Sequence, residues 1–211
     1  MARRRRSAQA TKSPLRRRSS SRLGLGDILF GRKKLKAPAG DRLFAISTAA
    51  VTLQTECSLT TAGVGAVIFK PLSAGEFTQA DQDIEQLLQA VAASSGSKLD
   101  RKTDKYGFEW VIVRDADLED QVAGVHTVAS ELEAQGFGAQ LLAAAFRFQG
   151  GGGNPVYWIY GFKTGTFWPF VPTGAKERDN ATEMELKAKL EPELPIEPDL
   201  SRWLALYDAP I

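Results

Sequence analysis

The chain has one cysteine, Cys57, and one histidine, His126, in 211 residues. A single thiol excludes an internal disulfide and fits a reducing compartment. One Cys and one His also cannot make a normal zinc site. Long apolar runs are missing too: none reaches the roughly 18 residues from which a membrane-crossing helix is built. The N-terminus has arginines but lacks the apolar stretch of a secretory signal. The expectation is a cytoplasmic protein.

Signatures of catalysis are equally scarce. There is no Gly-x-Ser-x-Gly elbow and no Walker lysine motif. The "GVG" of Gly63–Gly65 sits at a strand start and lacks the third glycine and following helix of a dinucleotide fingerprint. His126 is a general base or a boundary histidine on an amphipathic helix. Cys57 is a nucleophile or an inert, half-buried thiol, and nothing near it in sequence would lower its pKa. Asp115, Asp117, Glu119 and Asp120 fit a helix N-terminus answering its dipole better than a catalytic pair. No cofactor, metal or small-molecule substrate is inferred, and the chain is not expected to be an enzyme.

What the chain does have is a division of charge. It carries 27 basic and 25 acidic residues, of which residues 1–36 hold 13 and one. The remainder therefore has 14 basic and 24 acidic residues, so a basic arm precedes an acidic body. Residues 1–22, "MARRRRSAQATKSPLRRRSSSR", have almost nothing to bury and read as a disordered tail. Their arginines could meet phosphates on nucleic acid or lipid, or simply be solvated. Residues 23–36 form a short amphipathic basic segment. Leu25, Ile28 and Leu29 share a helical face beside Phe30, and Arg32, Lys33, Lys34 and Lys36 follow. Such a segment can touch an anionic membrane surface, dock into a partner, or pack on its own domain.

Residues 37–211 read as a single globular domain. Asp41 could cap a helix whose Leu43, Phe44, Ala50 and Val51 share a face. Val64–Phe69 is a strand. Thr78 and Asp81 resemble a capping pair for a helix with Ile84, Leu87, Leu88 and Val91 inward. In "YGFEWVIVRD", Tyr106, Phe108, Trp110 and Ile112 point one way, and Val111 and Val113 the other. Asp117 begins a helix that buries Leu118, Val122, Val125, Ala129 and Leu132. "QLLAAAFRF" and "PVYWIYGF" are adjacent strands.

Phe167–Val171 is a further strand, put at an edge by Pro169. Its alternation separates Thr166, Trp168 and Phe170 from Phe167, Pro169 and Val171. One set would close the core, and the other could dock a partner. Phe167, Trp168, Phe170, Arg178 and Asp179 are accordingly the candidate docking residues. Asn180 and Glu183 could box the N-terminus of "ATEMELKAKL", with Glu183–Lys187 and Glu185–Lys189 as exposed pairs. Asp199 could cap a last helix with Leu200, Trp203, Leu204 and Tyr207 on one face. The fold class is α+β: amphipathic helices on a mostly antiparallel sheet of about four to six strands, with local parallel pairing also allowed near its start.

Several stretches together resemble the PspAB family of PspA-associated bacterial proteins. They are "LGLGDILFGRKK", "FAISTAAVTLQ", "YGFEWVIVRD", "GFGAQLL", "KTGTFWPF", "RDN" and "DLSRW", spread over residues 23–211. The resemblance implies a place in the phage-shock-type envelope stress response, beside PspA and an HtpX-like membrane metalloprotease. It implies no catalytic residues. The arginine-rich residues 1–22 and the glycines 150–153 depart from the family pattern. If Leu23 were the initiator, residues 1–22 would be a mis-assigned start upstream of the native N-terminus.

The expected role is a non-catalytic adaptor of the PspA membrane-stress system that binds PspA or the metalloprotease. It would be cytoplasmic, with peripheral contact at the inner face of the membrane as an option. The alternatives are a secretion-chaperone-like dimeric binding module, by fold analogy alone, and nucleic-acid binding through the basic arm. The arm lacks the interleaved aromatics and reading motif of a nucleic-acid binder.

Overall fold

The computed structural model describes residues 40–70, 77–95, 98–150 and 153–211, and in them one antiparallel sheet carries the architecture. Its strands are β1 (Leu59–Phe69), β2 (Lys98–Thr103), β3 (Glu109–Arg114), β4 (Leu141–Gly150), β5 (Pro155–Gly161) and β6 (Thr166–Phe170). They lie in the order β2-β3-β1-β4-β5-β6, and every ladder is antiparallel. The local parallel pairing allowed near the start is therefore not used between strands. Residues 1–22 and the basic segment 23–36, with Leu25, Ile28, Leu29, Phe30, Arg32, Lys33, Lys34 and Lys36, lie outside the described residues.

Each strand alternates, so each gives one set of side chains to either face. Val67, Phe69, Val111, Val113, Phe146, Phe148, Trp158, Tyr160 and Phe167 build the core under the helices. Val64, Ala66, Ile68, Trp110, Ile112, Ala143, Ala145, Ile159, Trp168 and Phe170 build a second apolar layer on the opposite face. The two orientations expected along "YGFEWVIVRD" match these layers, although Tyr106, beyond the strand, is exposed.

Five helices accompany the sheet: α1 (Ala45–Thr48), α2 (Ala50–Thr55), α3 (Phe77–Ser95), α4 (Leu118–Leu132) and α5 (Asn180–Leu190). Helix α4 starts as the sequence says. The Asp117 carboxylate accepts the N–H groups of Glu119 and Asp120, and Val122, Val125, Val128 and Leu132 are fully buried. Helix α3 buries Ile84, Leu88 and Val91.

The first helical segment differs from expectation. A turn at Asp41–Phe44 precedes α1, and Gly40 rather than Asp41 occupies its cap. Leu43, Ile46, Ala49 and Leu53 face inward, and Val51 stands 71% exposed. The inward residues follow 3-3-4 spacing, a stripe to which Val51 does not belong.

The sequence gives no apolar signal for β2. Its Lys98, Asp100 and Lys102 are exposed, and only Leu99 packs toward the core. Charges of this kind suit a sheet edge, where they discourage pairing with another chain. At the other edge, β6 is covered. The Phe167 N–H donates to Pro195 O at 2.8 Å, and the Glu197 N–H donates to Phe167 O at 2.9 Å. Pro169 is two residues from Phe167, so its backbone nitrogen also faces away from β5, where no ladder bond is lost.

Candidate functional site

The second apolar layer is only partly covered. Beyond the turn Leu200–Arg202, residues 203–211 run as an irregular strap across it. The strap is held chiefly by side chains of the sheet. Trp168 Nε1 donates to Leu204 O at 3.0 Å, and Tyr157 Oη donates to Ile211 O at 3.2 Å. The expected last helix does not form beyond Arg202. Trp203 turns inward and donates its Nε1 hydrogen to Glu197 O at 2.9 Å, whereas Leu200 and Leu204 are exposed.

Between strap and sheet lies a cleft of about 360 Å³. Its floor is Ile68, Trp110, Ala143, Ile159 and Trp168, and its walls include Phe108, Leu142, Leu206 and Tyr207. Ala143 pairs with Ile68 on one side and Gly161 on the other; the Trp168 ring packs over Gly161, and the short Ala143 side chain leaves the floor low between Ile68 and Ile159. Tyr106 and Leu204 on the lining are 63% and 65% exposed, which opens the cleft to solvent.

The polar atoms of the lining are largely committed within the chain. Trp110 Nε1 donates to Asp104 Oδ2 at 2.9 Å, and Trp168 Nε1 bonds the strap. The other Asp104 oxygen accepts the N–H groups of Tyr106 and Phe108 at 2.8 and 3.0 Å. What remains is a mainly apolar hole with two indoles in its floor and the phenols of Tyr106 and Tyr207 on its lining.

Of the candidate docking residues, only Trp168 reaches this cleft. Phe167 and Phe170 are fully buried, on opposite faces of the sheet. The idea of one free face on this strand is therefore corrected: the connector at Pro195–Glu197 covers its edge, and the strap covers the face of Trp168 and Phe170.

Arg178 and Asp179 have their own tasks. The Arg178 guanidinium lies 5.2 Å from the Phe170 ring centre, bonds Trp203 O at 3.0 Å, and pairs with Glu183. Asp179, one residue before the expected Asn180, caps α5 by accepting from the Thr182 N–H at 3.0 Å. These bonds hold its carboxyl below the ordinary value, the Thr182 backbone bond being the largest cause. Glu183 is buried, not part of a capping box. Lys187 pairs with Glu191 instead, while the expected Glu185–Lys189 pair is present at 2.7 Å.

The other chemical candidates lie apart from the cleft. His126 packs its ring 4.9 Å from that of Phe44. Cys57 lines a separate hollow of about 220 Å³ with Lys189 and Glu185. Burial pushes the Cys57 thiol up, with Lys189 opposing more weakly. Gly65 of "GVG" is a packing position, since a Cβ there would come within 3.0 Å of the Phe146 ring and 3.2 Å of Val125. Among the described residues, no helix is long and apolar enough to cross a membrane.

An antiparallel sheet with helices on one face and a strap over an apolar cleft on the other defines the class of domain. The chain belongs to the PspAB family: the family model described as PspA associated protein B matches residues 23–211. Membership associates it with the PspA system. No curated protein and no solved structure matches the chain. The sequence carries no signal for the strap, because Leu200, Trp203, Leu204 and Tyr207 have helical spacing and predict a last helix in its place. Trp110 and Trp168, 58 positions apart by their numbers, line one cleft from strands β3 and β6, which only the strand order places on the same sheet face.

Proposed function

We propose that the protein is a non-catalytic binding accessory of the PspA system. A protein partner, PspA itself or an HtpX-like membrane metalloprotease, meets the acidic body, and the basic segment 23–36 touches the partner or an anionic membrane. The complex sits at the inner face of the cytoplasmic membrane. The observation supporting a binding role is the cleft, whose lining offers apolar contact and no nucleophile beside a base. The raised thiol of Cys57 points the same way, because a thiol held protonated is a poor nucleophile.

The test is a pull-down with tagged full-length chain from membrane-stressed cells, run with and without residues 23–36. PspA or the metalloprotease is expected to co-purify. If neither binds, in the presence or absence of anionic liposomes, the adaptor reading fails.

A further inference from the structure

We infer that the cleft between the sheet and the C-terminal strap binds the hydrocarbon tail of an anionic amphiphile. The inference rests on reading the cleft as a binding site, and three observations identify the occupant. The first is polarity. The indole hydrogens of Trp110 and Trp168 are spent on Asp104 and Leu204, and both Asp104 oxygens are engaged. A peptide main chain would bring N–H and C=O groups that need partners, at a cost of about 1–3 kcal/mol for each group left unpaired. A hydrocarbon brings none.

The second is size. About 360 Å³ is more than twice the roughly 150 Å³ apolar hole that holds a benzene ring, and within the range of ligand pockets. The space suits a chain better than one aromatic side chain. The third is the charge beside the cleft. Lys105 adjoins the lining residue Tyr106 and pairs with Asp208 of the strap; both members are exposed. Lys102 reaches Pro210 O on the same strap at 3.5 Å. Lys102 holds only a carbonyl and the exposed Lys105–Asp208 pair is weak, so either ammonium can turn to an anionic head, with Asp104 and Asp208 as the acidic groups that such a head must avoid.

The site carries its own reporters in Trp110 and Trp168. The experiment titrates full-length protein with doxyl-labelled stearate and, separately, with phosphatidylglycerol vesicles labelled on the acyl chain, and reads tryptophan quenching. Two variants fill the hole from opposite sides, Ala143→Leu from the floor and Leu206→Phe from the strap, neither of which adds an indole to the readout. Unfolding midpoints identify a variant that has lost its fold, leaving the other to decide.

Saturable quenching that a folded variant weakens at least about tenfold supports the inference. Free stearate as the effective probe assigns a fatty acid, and vesicles alone assign a membrane lipid. Quenching that never saturates, or that survives in the folded variants, overturns it. So does loss of PspA binding in the variants without any binding of stearate or vesicles, which would put a protein side chain in the cleft. Failure of the pull-down alone removes the adaptor reading and leaves tail binding to stand or fall by quenching.

Discussion

Arg178 closes its guanidinium on the carboxylate of Glu183, with Nη2 2.8 Å from Oε2 and Nε 2.9 Å from both oxygens. Glu183 is 1% exposed and also accepts the Val171 N–H at 2.9 Å. The pair ties the first turn of α5 to the end of β6, and through Trp203 O to the start of the strap. Arg178→Ala leaves a buried carboxylate without its cation. The expected loss is about 3 kcal/mol, at the low end for breaking a buried pair because Arg178 keeps some solvent contact. Equilibrium denaturant unfolding measures it, and a loss below about 1 kcal/mol would mean that water replaces the guanidinium.

Phe167 and Trp168 are neighbours with different tasks. Phe167→Ala opens a cavity in the core under the helices and is expected to cost about 3–5 kcal/mol. Trp168→Phe keeps most of the apolar contact and loses one hydrogen bond to the strap, about 1 kcal/mol. Thermal or denaturant unfolding of the two variants should rank them in that order.

Gly165 has φ +64°, and a Cβ there would run into the guanidinium at the flexible end of Arg42. Gly165→Ala thus meets both backbone strain and a steric clash, with an expected loss above about 1 kcal/mol. The double variant Arg42→Ala/Gly165→Ala removes the clash and keeps the strain. Its loss should be smaller than the sum of the single losses, and additive values would show that Arg42 moves aside without cost.

The Asp179 carboxyl is held below its ordinary value of 3.8, first by the Thr182 N–H and then by the Thr182 hydroxyl. A depressed folded pKa contributes stability above the unfolded value and loses it as pH falls through the folded one. Asp179→Asn keeps a cap without the titration. The wild type should therefore lose its advantage over this variant below about pH 3.8, as read by unfolding midpoints across the acid range.

Burial pushes the Tyr160 phenol from 10.0 up to about 12, against a weaker opposing effect of Arg42. A raised folded pKa means that its contribution is complete below pH 10.0 and lost as pH rises toward about 12. Tyr160→Phe should flatten the decline of stability in that window. Phenolate absorbance at lower pH without unfolding would show that water reaches the ring.

The amphipathic elements were legible from spacing and caps. Helix α4 announces itself through Asp117 and a stripe from Leu118 to Leu132, and β3 through the alternation of Trp110 and Ile112 with Val111 and Val113. These signals are local, because burial of one face needs only the right period. Strand β2 gave none, since an edge strand of Lys98, Asp100 and Lys102 is defined by the partner it pairs with. The α5 cap lies one residue before the Asn180 that the spacing predicts, since Asp179 and Asn180 can both cap, and Glu183 pairs with Arg178 instead of boxing the helix end.

Composition and spacing determined the α+β class of this chain and the basic character of its first 36 residues, and its distributed motifs determined the family. The tertiary structure decided which aromatic residues are available. "TFWPF" reads as a strand with one face to spare, yet the connector at Pro195–Glu197 takes its edge and the strap takes the face of Trp168 and Phe170. The hollow lies over Ala143, with Trp168 on its floor, where the strap spans the sheet without filling the space. Cavities arise from distant residues brought together by strand order, which local periodicity does not encode.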